Sequence, residues 1–207
     1  MKRVLVTGFE PFGGERTNPS FDAVRLLDGV VAVELPCTFA GALPALRAAI
    51  AEHEPDLVLC VGQAGGRAAV TVEKVAVNLA EARIPDNAGA QPSDEPVVEG
   101  GPAAYFAHLP VKAMVQAARA SGVPAHVSYT AGTFVCNQVA YGLAHLIETE
   151  RPGLRGGFVH VPYSPDQVVD QAQPSMDTAV VARALRAMIA AALETAGDLA
   201  VHAGATH

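Results

Sequence analysis

The chain has 207 residues, half of them hydrophobic and 17% charged, enough apolar material to fill the core of one sizeable domain. Its formal net charge of −7 and pI near 5.4 argue against nucleic acid or an anionic membrane as a partner and leave a small molecule or a peptide. The apolar run after Met1-Lys2-Arg3 is too short for a signal peptide, and no stretch of about 18 apolar residues could span a membrane, so a cytoplasmic location is expected.

In chain order, short β-branched runs alternate with longer segments of helical period. The predicted strands are "RVLVTGF" (3–9), "VVAVELP" (30–36), "DLVLCVG" (56–62), "AHVSYTA" (125–131) and "GGFVHVP" (156–162). Near-continuous apolar strands of this kind belong in a sheet covered on both faces. The predicted helices cover 20–29, 42–54, 103–122, 134–150 and 176–197, the third broken or kinked at Pro110. The expected fold is α/β, a three-layer α/β/α sandwich around a mostly parallel, mixed, twisted sheet. Two segments depart from the alternation. Residues 68–80 alternate like an antiparallel or edge strand, and residues 81–102, rich in Pro and Gly, read as a long functional or disordered loop. The whole chain, 1–207, is expected to be a single catalytic domain whose tail frays from about residue 198.

Ligands of open α/β sheets bind beyond the carboxyl ends of the strands. Here "TGFEPFGG", "GQAGGR", "TAGTFVCN" and "HVPYSPDQ" each lie within or after a predicted strand and should meet on one rim. The glycine-rich loops match neither dinucleotide nor P-loop spacing, so they are read as tight turns or as points of close approach to a ligand. A nucleoside phosphorylase on the same rim would need a phosphate cluster, for which Arg67 and Arg83 are the main cations available.

Three cysteines at wide spacing, with no CxxC pair, suggest thiols and no metal site or redox couple. Cys60 reads as core and Cys37 as packing at a strand end. Cys136 is different, lying just inside a predicted helix entered through Gly132-Thr133. There the free N–H groups and the helix dipole favour an anion and can depress a thiol pKa. It is either a buried hydrophobe or a nucleophile. Of the seven histidines, His160 alone sits in an apolar strand near its carboxyl end, while His53, His108, His126 and His145 look solvated. Glu73 interrupts the alternation of "VTVEKVAVN", where an exposed-face glutamate is the plainer reading. Together Cys136, His160 and Glu73 supply a nucleophile, a base and an orienting acid, a suggestive set that other readings do not exclude.

The wording of the chain narrows the choice. "VLVTGFEPFGG", "NPS" (18–20), "VGQAGGR", "VEKVAVNLAEARIPDNAG", "GGPAAYF", "SYTAGTFVCN" and "RGGFVHVPYSPDQ" resemble, from residue 4 to about 167, the pyroglutamyl peptidase I (pyrrolidone-carboxylate peptidase) family of cysteine peptidases. The resemblance implies a metal-independent, cofactor-free hydrolase that removes an N-terminal pyroglutamyl residue from peptides through a thioester. It also implies a cytosolic homo-oligomer, a tetramer. It makes Cys136, His160 and Glu73 the catalytic residues, with Glu81 close enough to be mistaken for Glu73. The family's glutamate usually follows Pro and precedes Arg; here Val72 and Lys74 flank it. Phe9, Phe12 and Phe134 would sandwich the lactam ring, with Ile84 and Val135 completing the wall. Gln63 and Asn18 would fix the lactam's polar edge or the surrounding loops, although Asn18 fits a helix cap equally well. Arg83 would lie near the reacting carbonyl or form a surface salt bridge.

Overall fold

A computed structural model describes residues 2–205. Its centre is a six-stranded sheet built from β1 (Val4–Phe9), β2 (Val31–Leu35), β3 (Leu57–Gln63), β4 (Val70–Glu73), β7 (Ala125–Ser128) and β8 (Arg155–Val161). The strand order is β2-β1-β3-β8-β4-β7, and every pairing is parallel except β4 with β8. A separate two-stranded antiparallel ribbon joins β5 (Val75–Val77) to β6 (Ala104–Phe106).

The alternation of side chains explains the layers. Val4, Val6, Leu57, Leu59 and Val61 point to one face and pack with α1 (Pro19–Val24), α3 (Val111–Ala120) and α5 (Thr178–Glu194). Leu5, Phe9, Val58, Cys60 and Phe158 point to the other and pack with α2 (Ala42–His53) and α4 (Val135–Thr149). All six residues of β1 are buried, which is why its sequence shows no alternation, whereas the edge strand β2 alternates. Each Leu or Val removed from water contributes roughly 1.5–3 kcal/mol, so these two cores are the main stabilising term.

Three expectations are corrected. The 103–122 helix does not begin at 103: residues Ala104–Phe106 form β6, and the helix starts only after Pro110. Alanine-rich local propensity there yields to pairing with β5. Residues 68–80 split at Lys74 into β4 and β5, each antiparallel to a partner as the alternation suggests, but β4 is no edge strand, lying between β8 and β7. The tail has no regular structure yet is fastened. Asp198 accepts hydrogen bonds from the backbone of Lys112 and Ala113 at the start of α3, where Pro110 offers no side-chain cap, and the Tyr129 hydroxyl donates to the Ala203 carbonyl. The 81–102 loop is likewise held, by Asp86, Asn87 and the Ala80–Glu95 bridge.

Candidate active site

The rim expectation holds for β1, β3 and β8. Strands β4 and β7 run the other way, and it is the loop 129–134, rather than the strand end itself, that delivers Cys136. Cys136 is the second residue of α4. The helix is capped by no side chain, so its first N–H groups are not consumed by a cap. The next residue, Asn137, is fully buried and anchors the helix start: its amide accepts from Val77 N–H and donates to the carbonyls of Val77 and Leu79.

Glycine at 62 lets the nucleophile candidate approach the base candidate. Gly62 is the ladder partner of His160, and a Cβ placed on it would come within 2.7 Å of the Cys136 Sγ. The sulfur therefore rests on the backbone beside His160. Thr71 is paired with His160 across the antiparallel junction, and Glu73, two residues on, projects from the same face. Its Oε1 lies 2.7 Å from His160 Nδ1. Glu73 and His160 are 2% and 3% exposed, so the exposed-face reading of Glu73 is overturned. Glu81 also lines the cleft, but its carboxylate accepts from the Asp94 N–H and makes no bond to His160.

The same Glu73 oxygen also accepts from Arg67 Nη1 at 2.6 Å, while Oε2 finds no partner among the described residues and Glu73 borders a small cavity of about 20 Å³. Burial by itself would raise the Glu73 pKa. The hydrogen bond and charge of His160, then Ser128 and the Arg67 cation, outweigh it and hold the carboxyl below its ordinary range. Burial lowers His160, and Glu73 only partly offsets this, so the ring rests neutral with its Nδ1–H given to Glu73 and its Nε2 free to accept. Burial also pushes the Cys136 thiol up, helped by Cys37 and Glu73 and opposed by Arg67, so the expected depression by the helix start is overridden. The resting pair is a neutral thiol beside a neutral imidazole.

Cys136, His160 and Arg67 line one cleft of about 400 Å³, a size suited to a small ligand, and Glu73 stands behind His160. Phe9, Phe12, Asn18, Gln63, Arg83, Ile84 and Phe134 all border it, as the sequence reading expects. Val135 does not: it is fully buried in the core beneath the cleft. Phe12 and Phe134 lie 6.2 Å apart, tilted by 36°, with Phe39 set edge-on behind Phe134, so they form one continuous aromatic wall rather than two open faces. Asn18 is the cap of α1: its Oδ1 accepts from Ser20 N–H and its Nδ2 donates to the Glu10 carbonyl. Gln63 accepts from Gln167 through Oε1, and its Nε2 has no partner among the described residues. Sequence reasoning missed Cys37 as a cleft residue, together with Ala131, Gly132 and Thr133. Of the two cations a phosphorylase would need, Arg67 is committed to Glu73. His108 Nε2 is hydrogen-bonded to Glu148 Oε1 at 2.8 Å, and His145 Nδ1 is hydrogen-bonded to the Tyr105 hydroxyl. Among the described residues, no group of three or more His, Cys, Asp or Glu is arranged to hold a metal ion, and no helix is long and apolar enough to cross a membrane.

Comparison with known proteins gives a consistent picture. The family model described as pyroglutamyl peptidase matches residues 2–195. The chain is 62% identical to a pyrrolidone-carboxylate peptidase of Streptomyces coelicolor and 52% identical to one of Yersinia pestis, each comparison covering both chains in full. The crystal structure of pyroglutamyl peptidase I from Bacillus amyloliquefaciens superposes with a TM-score of 0.94 at 47% identity, over 96% of this chain and 100% of that one. The pyrrolidone carboxyl peptidase of Thermococcus litoralis gives 0.89 at 39%, over 94% of each. A full-length sequence match, a shared fold and a cysteine beside a buried His–Glu pair agree: the chain belongs to the pyroglutamyl peptidase family of cysteine peptidases.

Proposed function

We propose that the chain hydrolyses the amide bond after an N-terminal pyroglutamyl residue of peptides, with Cys136 as nucleophile, His160 as general base and then acid, and Glu73 as the orienting carboxylate. The observation that carries the reading is the buried 2.7 Å contact of Glu73 with Nδ1 of His160, whose ring lines the cleft that also holds Cys136. It fixes the tautomer that leaves Nε2 as acceptor.

As Sγ attacks the pyroglutamyl carbonyl carbon, His160 Nε2 takes the thiol proton, and Glu73 stabilises the imidazolium that forms. The uncapped N–H groups of α4 and the Arg83 guanidinium face the developing oxyanion. The C–N bond breaks, His160 passes its proton to the departing amine, and a thioester remains on Cys136. His160 then deprotonates water, which attacks the thioester, and Sγ leaves with the proton. The aromatic wall and Ile84 receive the uncharged lactam, and Gln63 Nε2 donates to its carbonyl. A free N-terminal ammonium pressed against that apolar wall would lose its hydration at a cost of several kcal/mol, which supports selection of blocked termini.

No step calls for a metal or cofactor, and the partners are pyroglutamyl peptides rather than nucleic acid or membrane. Three free cysteines among the described residues support a reducing, cytoplasmic setting. A homo-oligomer, a tetramer by the resemblance, is supported by exposed apolar side chains such as Phe106. The single catalytic domain is supported by the two cores packed on opposite faces of one sheet.

The test is fluorophore release from a pyroglutamyl amide with EDTA present, comparing wild type, Cys136→Ser and iodoacetamide-treated protein. Release by wild type alone supports the reading. A silent wild type, or an equally fast Ser variant, overturns it.

A further inference from the structure

The catalytic residues proposed above leave one buried interaction unassigned. Arg67 lies in the turn between β3 and β4, with its side chain 27% exposed and reaching inward. Its Nη1 lies within hydrogen-bond reach of Thr71 Oγ1 and Glu73 Oε1 on β4 and of Ser128 Oγ at the end of β7, and its Nη2 donates to a fourth acceptor, the Thr130 carbonyl, at 3.0 Å in the loop that runs into α4. Two of these belong to the strand that carries the orienting acid, and two to the segment that carries the chain toward Cys136. Arg67 and His160 share Glu73 Oε1, so the position of that oxygen, and with it the rotation of the imidazole ring, depends on both.

We propose that Arg67 is a positioning residue of this site, its planar fork locking Glu73, and through Glu73 the His160 ring, to the segment that leads into Cys136. The inference rests on the catalytic roles proposed above. A lysine cannot substitute, because a single ammonium lacks the rigid set of donors that reaches all four acceptors. The cation also acts through space: it pulls Glu73, His160 and Cys136 toward lower pKa. The other titratable groups facing the site are Glu81 and Arg83 at the cleft and the thiols of Cys37 and Cys60, and none of these bonds to Glu73.

The test measures kcat and KM for a pyroglutamyl amide across pH in Arg67→Met, Arg67→Lys, Glu73→Gln and the Arg67→Met/Glu73→Gln double variant, with Cys136→Ser as the control. The expected result for Arg67→Met is a kcat lowered about 100-fold with KM little changed, as for a misplaced catalytic group. Both limbs of its pH profile move to higher pH. Arg67→Lys keeps the limbs and still loses kcat. In the Glu73→Gln background, Arg67→Met adds little, because Arg67 acts through that carboxylate.

A raised KM with unchanged kcat would make Arg67 a substrate contact and overturn the inference. Unmoved limbs in the Met variant, wild-type kcat in the Lys variant, or losses that multiply in the double variant would also overturn it. If Arg67→Met fails to fold, the Lys variant and the double variant, which lacks both charges of the pair, carry the test alone. An active Cys136→Ser would sink the proposed function itself, whereas an inert Cys136→Ser beside unaffected Arg67 variants would sink only this inference.

Discussion

Two carboxylates are buried among the described residues, and they are satisfied in opposite ways. Asp86, 7% exposed, uses both oxygens on backbone N–H groups: Oδ2 accepts from Phe39, and Oδ1 from Ala88 and Ala90. Glu73, 2% exposed, concentrates its bonds on one oxygen, shared between His160 and Arg67, and leaves the other without a partner among the described residues. Both carboxyls are held below their ordinary range against the cost of burial, Asp86 by fixed backbone donors and Glu73 mainly by His160. The difference separates structure from chemistry. A carboxylate saturated by backbone amides pins a loop, and no proton transfer nearby alters its partners. A carboxylate held by side chains that titrate or carry charge can respond when the imidazole gains a proton. Asp86 thus ties the 81–102 loop to the segment bearing Phe39, which buttresses Phe134, while Glu73 tunes the base.

The contrast predicts unequal phenotypes. Glu73→Gln should lower kcat by about 10³–10⁴-fold, since a glutamine amide no longer enforces the tautomer with Nε2 as acceptor. Steady-state kinetics on a pyroglutamyl amide, alongside a thermal melt showing an intact fold, would check this. Asp86→Ala should show the reverse pattern, losing about 2–3 kcal/mol of stability in urea unfolding as buried N–H groups lose a charged acceptor. Its kcat should fall far less than that of Glu73→Gln.

The response to pH sharpens the comparison further. His160 is lowered from 6.5, so the unfolded chain binds more protons than the folded one just below that pH, and stability should fall as pH drops through about 6.5. Glu73, lowered from 4.5, adds a further loss in more acid solution. At the other end, burial pushes the Cys37 and Cys60 thiols from 9.0 to about 12, so the unfolded chain releases protons first and stability should decline as pH rises above 9.0. Urea midpoints measured across pH should therefore form a plateau between those limits. A midpoint that rises on acidification below 6.5 would contradict a buried neutral imidazole. The smallest effect belongs to Asn18→Ala, which removes the α1 cap and should cost about 1 kcal/mol, with KM nearly unchanged if Asn18 is a cap and not a substrate ligand.

Much of this was legible in the sequence because the signals were local. Buried parallel strands announce themselves as β-branched runs, and the quoted motifs carried the resemblance that singled out Cys136, His160 and Glu73. The misread segments were those decided at long range. Tyr105 and Phe106 sit in an alanine-rich stretch that favours helix, yet they pair with Ala76 and Val75. The roles of Arg67, Asn137 and Phe39 arise only when β4, α4 and the 37–39 segment are brought together. The setting of the thiol shows the same limit. Position at a helix start is visible in sequence, whereas burial beside Cys37 is not.

The most direct test of the central claim is the intact mass of the protein quenched during turnover of a pyroglutamyl amide, followed by mapping of the modified peptide. One pyroglutamyl group on Cys136 of the wild type, absent from Cys136→Ser and accumulating when the thioester is slow to hydrolyse, is the predicted result. Turnover with the label on another residue, or undiminished turnover by Cys136→Ser, would contradict it.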